Sequence, residues 1–314
     1  GRRVRAAGRL RLARAGLVPN SFESRVVWVF GSPRSGSTWL LGLLAEHPAV
    51  VPVNEPLIGD YLAPFLSDLP GALPEGLDSR NFTIRMVRDD ADHMFSAETR
   101  DVWMPLLGKL LRGRFFAHAV RHPARVSLSR ALVVIKEPNG SQSADLIMAA
   151  MPRARLLFLL RDGRDVVDSE LAANLRGSWV SKEFPGLPGI AEEDRLSFVV
   201  QSAHKWLWRT EVVQAAFDAH RGPKHLVRYE ELLRDPVAQL QDLFRWLEID
   251  LDDEDLRRWT GQHSFEQIPA DARGPQAFFR AAEPGRWRES LTGEEQATVD
   301  RIIGRKLRDL GYKA

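Results

Sequence analysis

Cysteine is absent from this 314-residue chain. Its absence excludes disulfides and thiolate zinc sites and favours a reducing compartment, so a cytoplasmic location is expected. No apolar stretch approaches the roughly 18 residues that a membrane-crossing helix requires, and no transmembrane segment is expected. The eight histidines suggest no metal centre, and no metal is expected. Net charge is also small, because 44 Lys and Arg face 42 Asp and Glu. That value of +2 hides an asymmetry: residues 1–16 hold six arginines (2, 3, 5, 9, 11 and 14) and no acid, which leaves 38 basic and 42 acidic residues elsewhere. A body with that balance is no general polyanion binder, and nucleic acid is not an expected partner.

Apolar residues at 44% are ample for a core, and nothing repeats. Length and composition predict a basic N-terminal arm over residues 1–20 and one large α/β domain over residues 21–314. The arm reads as a solvated helix, with a membrane-surface or partner segment as the other readings. No signal-peptide core is expected, because Arg11 and Arg14 interrupt Leu10, Leu12 and Leu17.

The chain is organised around residues 26–48, VVWVFGSPRSGSTWLLGLLAEHP. Val26 to Phe30 reads as a buried strand of a parallel sheet. From Thr38 to Ala45 the spacing of Leu40, Leu41, Leu43 and Leu44 is helical, and Pro48 lies just past the end. Between them, Gly31 and Gly36 let the backbone fold tightly and approach a ligand. The amides of Ser35 to Thr38 then point from a helix N-terminus at an anion, most often a phosphate. The usual phosphate loop, GxxxxGK[ST], places a Lys before the hydroxyl. Here that Lys is missing from Gly36-Ser37-Thr38, and the loop's cation is Arg34. Kinases and NTPases use the Lys on the β and γ phosphates, so its absence argues against nucleoside triphosphate hydrolysis.

Ala49 to Val53 reads as a second strand, followed by Asn54-Glu55-Pro56-Leu57. Pro56 biases Glu55 toward an extended conformation, and the carboxyl end of the strand puts Glu55 near the phosphate loop. By itself this residue reads as an exposed loop acid or a helix cap rather than as a site residue. Residues 59–130 show no strong strand period, with a helix expected over Met104 to Arg114 and a loose basic series at Arg112, Arg114, Arg121, Arg125 and Arg130. Acceptor choice is expected to lie there. Ala131 to Ile135 is a strand ending in Lys136-Glu137-Pro138, and Arg155 to Leu160 is another, running into Arg161-Asp162-Gly163-Arg164-Asp165-Val166-Val167-Asp168-Ser169. Arg161 offers a planar fork for two phosphate oxygens, and Ser169 adds a neutral donor from the following helix. A magnesium-binding strand would place an acid directly after the apolar run, where Arg161 stands. A long helix is expected over Asp194 to His220 with Trp206 and Trp208 in the core, then a strand over Lys224 to Arg228, the string Tyr229 to Pro236 and a helix over Val237 to Glu248. A helix over Thr292 to Leu310 closes the chain, with Glu294 and Glu295 in its first turn and Gly311 after its end.

Four blocks, 31–39, 55–57, 161–169 and 228–236, resemble in content and order those of sulfotransferases that use 3'-phosphoadenosine 5'-phosphosulfate (PAPS). The motifs are most similar to carbohydrate and bacterial members, which carry a Glu-Pro segment after the loop helix. The resemblance implies an α/β fold with a P-loop-like parallel β-sheet flanked by helices. It implies that Arg34, Ser35, Gly36, Ser37 and Thr38 hold the 5'-phosphosulfate, that Arg161, Ser169 and Arg280 hold the 3'-phosphate, and that Trp39 or Tyr229 flanks the adenine. The product left in the site is then 3'-phosphoadenosine 5'-phosphate (PAP). The resemblance further implies Glu55 as the base and Arg34 and Lys136 as charge stabilisers, with no metal. In the cytosolic small-molecule branch the base is a His two residues after the Lys, where this chain has Pro138. Two further departures are Gly163 at a frequent Pro position, and Ala281 and Ala282 where Lys and Gly are frequent. The implied acceptor is a hydroxyl of a carbohydrate, lipid or small molecule. Two other readings share the same pattern, a P-loop nucleotide or small-molecule kinase and a non-catalytic nucleotide-binding module. Frequent Arg and Ala suggest a bacterial source.

Overall fold

Val26–Phe30 forms strand β1 with all five residues buried, as a β-branched and aromatic run covered on both faces requires. The computed structural model describes residues 2–15, 17–59, 61–62, 92, 94–122, 127–184, 186, 189–274, 277 and 283–313. Helix α1 (Arg2–Arg14) precedes β1, and α2 (Ser37–Ala45), β2 (Val50–Asn54), α3 (Arg100–Arg121), β3 (Leu132–Lys136), α4 (Ala144–Ala150), β4 (Arg155–Leu160) and α5 (Gly163–Asn174) follow it. After them come α6 (Trp179–Glu183), α7 (Arg195–Ala219), β5 (Lys224–Arg228), α8 (Tyr229–Arg234), α9 (Pro236–Trp246), α10 (Asp253–Gln262), α11 (Trp287–Ser290) and α12 (Gly293–Asp309).

The strands form a five-stranded sheet in the order β2-β3-β1-β4-β5. Parallel pairing sets Trp28 opposite Ile135 of β3 and Leu156 of β4, and Val51 of β2 opposite Val133. Pro52 sits within β2, which the order makes an edge strand, where a missing N–H costs no ladder bond. The fold class expected from the sequence is the one observed.

The chain divides into two compact units. The first comprises Gly1–Gly31, Leu40–Phe158 and Val212–Leu226. Its core includes Trp28, stacked 5.5 Å from Phe30 and edge-on to Phe115 of α3 at 5.3 Å. Buried Glu23 is satisfied by Arg112 at 2.8 Å and by the backbone N–H of Arg153 at 2.7 Å. Helix α3 is longer at both ends than the Met104 to Arg114 pattern predicts. Its extra turns are held by packing of Trp103, Phe115, Phe116 and Ala119, which are buried, and tertiary burial overrides the local breaker signals of Pro105 and Gly113.

The second unit comprises Ser32–Trp39, Leu159–Glu211 and Val227–Ala314. A Cβ at Gly163 would meet Ile303 of α12 at 2.6 Å and Trp206 of α7 at 2.7 Å, so α5 starts in close contact with both. Trp206 is core, as expected, while Trp208 is half-buried. The closing helix α12 starts with a capping box, Thr292 bonding the Glu295 amide and Glu295 returning to the Thr292 amide. Arg195 also holds the Glu295 carboxylate at 2.9 Å.

Candidate active site

In the second unit the loop after β1 is shaped by two left-handed residues, Arg34 at φ 65° and Gly36 at φ 83°. For Arg34 that conformation costs on the order of 1–2 kcal/mol, and its own neighbours hold it there. Arg161 Nη1 donates to the Arg34 carbonyl at 2.6 Å, and Arg34 Nε donates to Ser169 Oγ at 3.1 Å. The Arg161 guanidinium lies 4.4 Å above the Tyr229 ring, a cation–π distance. Gly36 is demanded by its φ and by space, since a Cβ there would stand 2.5 Å from Tyr229 Cδ2. Trp39 sets its ring edge-on to Tyr229 at 6.3 Å and donates Nε1 to the His263 carbonyl at 2.9 Å.

Three polar atoms in this cluster are buried without a hydrogen-bond partner: Ser32 Oγ, Ser35 Oγ and Arg161 Nε. Buried polar groups are normally paired, and each exception calls for a reason such as a missing ligand. Around them, Asp162 caps α5 by accepting from the Arg164 amide at 2.9 Å. Glu230 accepts from the Asp162 amide at 2.8 Å and from the Tyr312 hydroxyl at 3.2 Å. Burial pushes the carboxyls of Glu230 and Asp165 above their ordinary values, and Asp165 also accepts from the Gly285 amide at 2.7 Å.

In the first unit the ends of β2 and β3 bring Glu55 and Lys136 together. Lys136 Nζ, on a buried side chain, is 2.7 Å from Glu55 Oε1, and Asn139 Nδ2 donates to Glu55 Oε2 at 2.7 Å. The Glu55 amide donates to the Lys136 carbonyl at 2.9 Å. Sequence reasoning gives Glu55 an extended backbone because Pro56 follows it. The structure gives φ 43° for Glu55 and φ 59° for Leu57. Non-glycine residues held in that region store about 1–3 kcal/mol each. The restraint is Glu137, fully buried, whose carboxylate accepts from the amides of Leu57 and Gly59, each at 3.1 Å. Its neighbour Ser141 ties both backbone atoms of Gly31, accepting from the N–H at 2.9 Å and donating to the carbonyl at 2.7 Å.

Of the residues singled out in the sequence, Arg34, Ser35, Gly36, Ser37, Thr38, Trp39, Arg161, Ser169 and Tyr229 fall in the second unit, and Glu55 and Lys136 pair in the first. Arg280 lies outside the described residues, as does Arg125. Sequence reasoning missed Asn139, Glu137 and Glu230. The first two stand directly after Lys136 in Lys-Glu-Pro-Asn, so their place at a strand's carboxyl end was the available signal. It also passed over His118 in the last turn of α3 and His122 just after it, whose rings are 6.0 Å apart. No group of three or more His, Asp or Glu with metal-binding proximity occurs among the described residues.

Comparison with known proteins gives the family. A family model described as "Sulfotransferase family" matches residues 27–253. A curated relative, nodulation protein NoeE of Sinorhizobium fredii (strain NBRC 101917 / NGR234), is 25% identical over 313 residues, covering 92% of this chain and 66% of NoeE. The chain thus spans just under two thirds of that relative's length. Among solved structures, mouse sulfotransferase SULT7A1 complexed with PAP superposes with a TM-score of 0.51 at 14% identity, over 91% of this chain and 86% of that one. Sulfotransferase STF9 from Mycobacterium avium gives 0.51 at 17% identity, over 92% and 77%. At these identities the two structures share a fold with the present one, and the family follows from the match over most of the chain. This chain belongs to the sulfotransferase family.

Proposed function

We propose that the protein moves the sulfuryl group of PAPS to a hydroxyl of a carbohydrate, lipid or small-molecule acceptor, leaving PAP. The observation that carries the choice of donor is the trio of buried, unpartnered donors Ser32 Oγ, Ser35 Oγ and Arg161 Nε, in a phosphate-type loop that lacks the P-loop Lys. Such a set fits a ligand rich in phosphate oxygens, and the missing Lys disfavours ATP. The solved mouse relative is described with PAP bound.

On this reading the loop residues Arg34, Ser35, Gly36, Ser37 and Thr38 hold the 5'-phosphosulfate, and Arg161, Ser169 and Arg280 hold the 3'-phosphate. Trp39 or Tyr229 borders the adenine. PAPS supplies an activated sulfuryl group, so the chain itself has to orient, neutralise charge and move one proton. Arg34 and Lys136 counter the negative charge that grows as the sulfuryl group leaves. Glu55 takes the acceptor hydroxyl proton. A carboxylate has about four lone-pair directions, of which Lys136 and Asn139 occupy two. No metal enters this scheme. The reading also takes residues 21–314 as one catalytic domain behind a basic arm over residues 1–20, in a bacterial cytoplasm. The Glu-Pro segment favours sugar or lipid hydroxyls.

Calorimetric titration of PAP against ATP with magnesium tests the donor. Tight binding of PAP and none of ATP is expected, and the reverse order establishes the kinase reading instead. Incubation with radiolabelled PAPS and fractionated extract then identifies the acceptor, and failure to label any acceptor leaves a nucleotide-binding module.

A further inference from the structure

Helix α3 carries an open apolar face. Val102, Leu106 and Leu110 lie four residues apart, hence on one side of the helix, and are 61, 56 and 66% exposed. They span about 12 Å along the axis at 1.5 Å per residue. Gly113 continues the same line, roughly 20° around the axis from Val102. There α1 closes over the helix, since a Cβ on Gly113 would stand 3.3 Å from the Ala13 carbonyl oxygen. So α1 covers one end of the face and leaves three large side chains open. Leu12 of α1 and Leu17 just after it are also 41 and 65% exposed. Large exposed apolar side chains aligned on one helix face mark an interaction site.

The charge beside it selects the partner. Arg9 and Arg11 of α1 and Lys109 and Arg114 of α3 are exposed, against Glu98 and Asp101 at the start of α3. The sequence of residues 1–16 holds six arginines and no acid, while the rest of the chain is net acidic. Leucines set among arginines and lysines on a helix pair lie in the headgroup region of a bilayer, the side chains entering the acyl boundary and the cations meeting lipid phosphates. No described helix is long and apolar enough to cross a membrane. We propose that α1 and the open face of α3 dock this protein peripherally and reversibly on an anionic lipid surface.

The test is co-sedimentation of the full chain with vesicles of phosphatidylcholine alone and with added phosphatidylglycerol. Binding to the anionic vesicles that weakens as salt rises is expected, because screening removes the cationic part of the attraction. Two variants separate the contributions. The triple change Val102→Ser, Leu106→Ser and Leu110→Ser, and the triple change Arg9→Ala, Arg11→Ala and Lys109→Ala, are each expected to lower the vesicle partition at least tenfold. Far-UV circular dichroism and PAP affinity report that both variants remain folded, as exposed positions allow. No binding to anionic vesicles at low salt overturns the proposal, as does equal binding to neutral ones or binding that both variants retain. A concentration-dependent dimer that the serine variant abolishes also overturns it, since a second copy would then cover the face.

Discussion

Lys136 Nζ lies 2.7 Å from Glu55 Oε1, while Asn139 holds the other oxygen at the same distance. One cation and one amide therefore fix this carboxylate at the carboxyl ends of two adjacent strands. If this carboxylate is the base, Glu55→Gln should keep the hydrogen bond to Lys136 and lose proton uptake. Turnover should fall by roughly 10²- to 10⁴-fold, the usual contribution of a positioned base, with PAP affinity unchanged. Steady-state sulfotransfer and calorimetry on the same preparation check it. A variant that turns over normally would show that another group takes the proton.

Arg161 makes the second prediction. It donates to the Arg34 carbonyl, stacks on Tyr229 and keeps Nε buried without a partner. Arg161→Ala should raise the dissociation constant for PAP about tenfold to a hundredfold, the value of one or two hydrogen bonds to a charged group. Arg161→Lys should recover little of that, because a point ammonium cannot reproduce the fork. Titration calorimetry reads the affinity, and thermal melting without nucleotide reads the fold. A loss of melting temperature with unchanged affinity would mean that Arg161 serves the loop alone.

Glu137 is the test of strain. Its carboxylate is fully buried and receives the amides of Leu57 and Gly59, next to two left-handed residues, Glu55 and Leu57. Glu137→Ala leaves both amides unsatisfied, at about 1–3 kcal/mol each, so denaturant melts should show a loss of several kcal/mol. Glu137→Gln retains one acceptor oxygen and should lose less. Both should lower kcat more than they change PAP affinity, because relaxation of the segment moves Glu55. Equal effects on kcat and on PAP affinity would count against this positioning role.

How much of this was legible in the sequence depended on the range of the interactions involved. The five strands were readable within a residue or so; β1, β3 and β4 are apolar runs buried on both faces, which announce themselves locally, as Arg155–Leu160 does. The places of Arg34 and Gly36 in the loop after β1, and of Arg161 directly after β4, were readable because those strands were. What the sequence hid was pairing across many positions. The left-handed turn at Glu55 is imposed from Glu137, about eighty residues away, against the local bias of Pro56. The demand for glycine at position 36 comes partly from Tyr229, on another strand's end. The extra turns of α3 come from Phe115 and Phe116 packing on Trp28 and Phe22, and no local pattern carries that.

Buried His220 and half-buried His118 give the pH dependence of stability. His220 is buried with Nε2 2.9 Å from the Ala154 carbonyl. Burial lowers its pKa below the ordinary value of 6.5, the carbonyl opposes that, and nearby Lys224 adds to it. His118 shifts the same way, chiefly by burial, with Arg114, His122 and Arg121 adding to it. A group whose folded value is depressed is held neutral by the fold, so its contribution is complete above its unfolded pKa and lost as pH falls through the folded one. The melting temperature should therefore hold steady above about pH 7 and decline as the pH drops through about 6 and below. Deprotonation at higher pH should not restore or add stability through these two groups. His220→Gln keeps a donor for the Ala154 carbonyl but does not titrate. In that variant the acid-side decline should be shallower than in the parent chain, measured by thermal melts in matched ionic strength. An identical slope would assign the acid sensitivity to His118 or to the carboxylates instead.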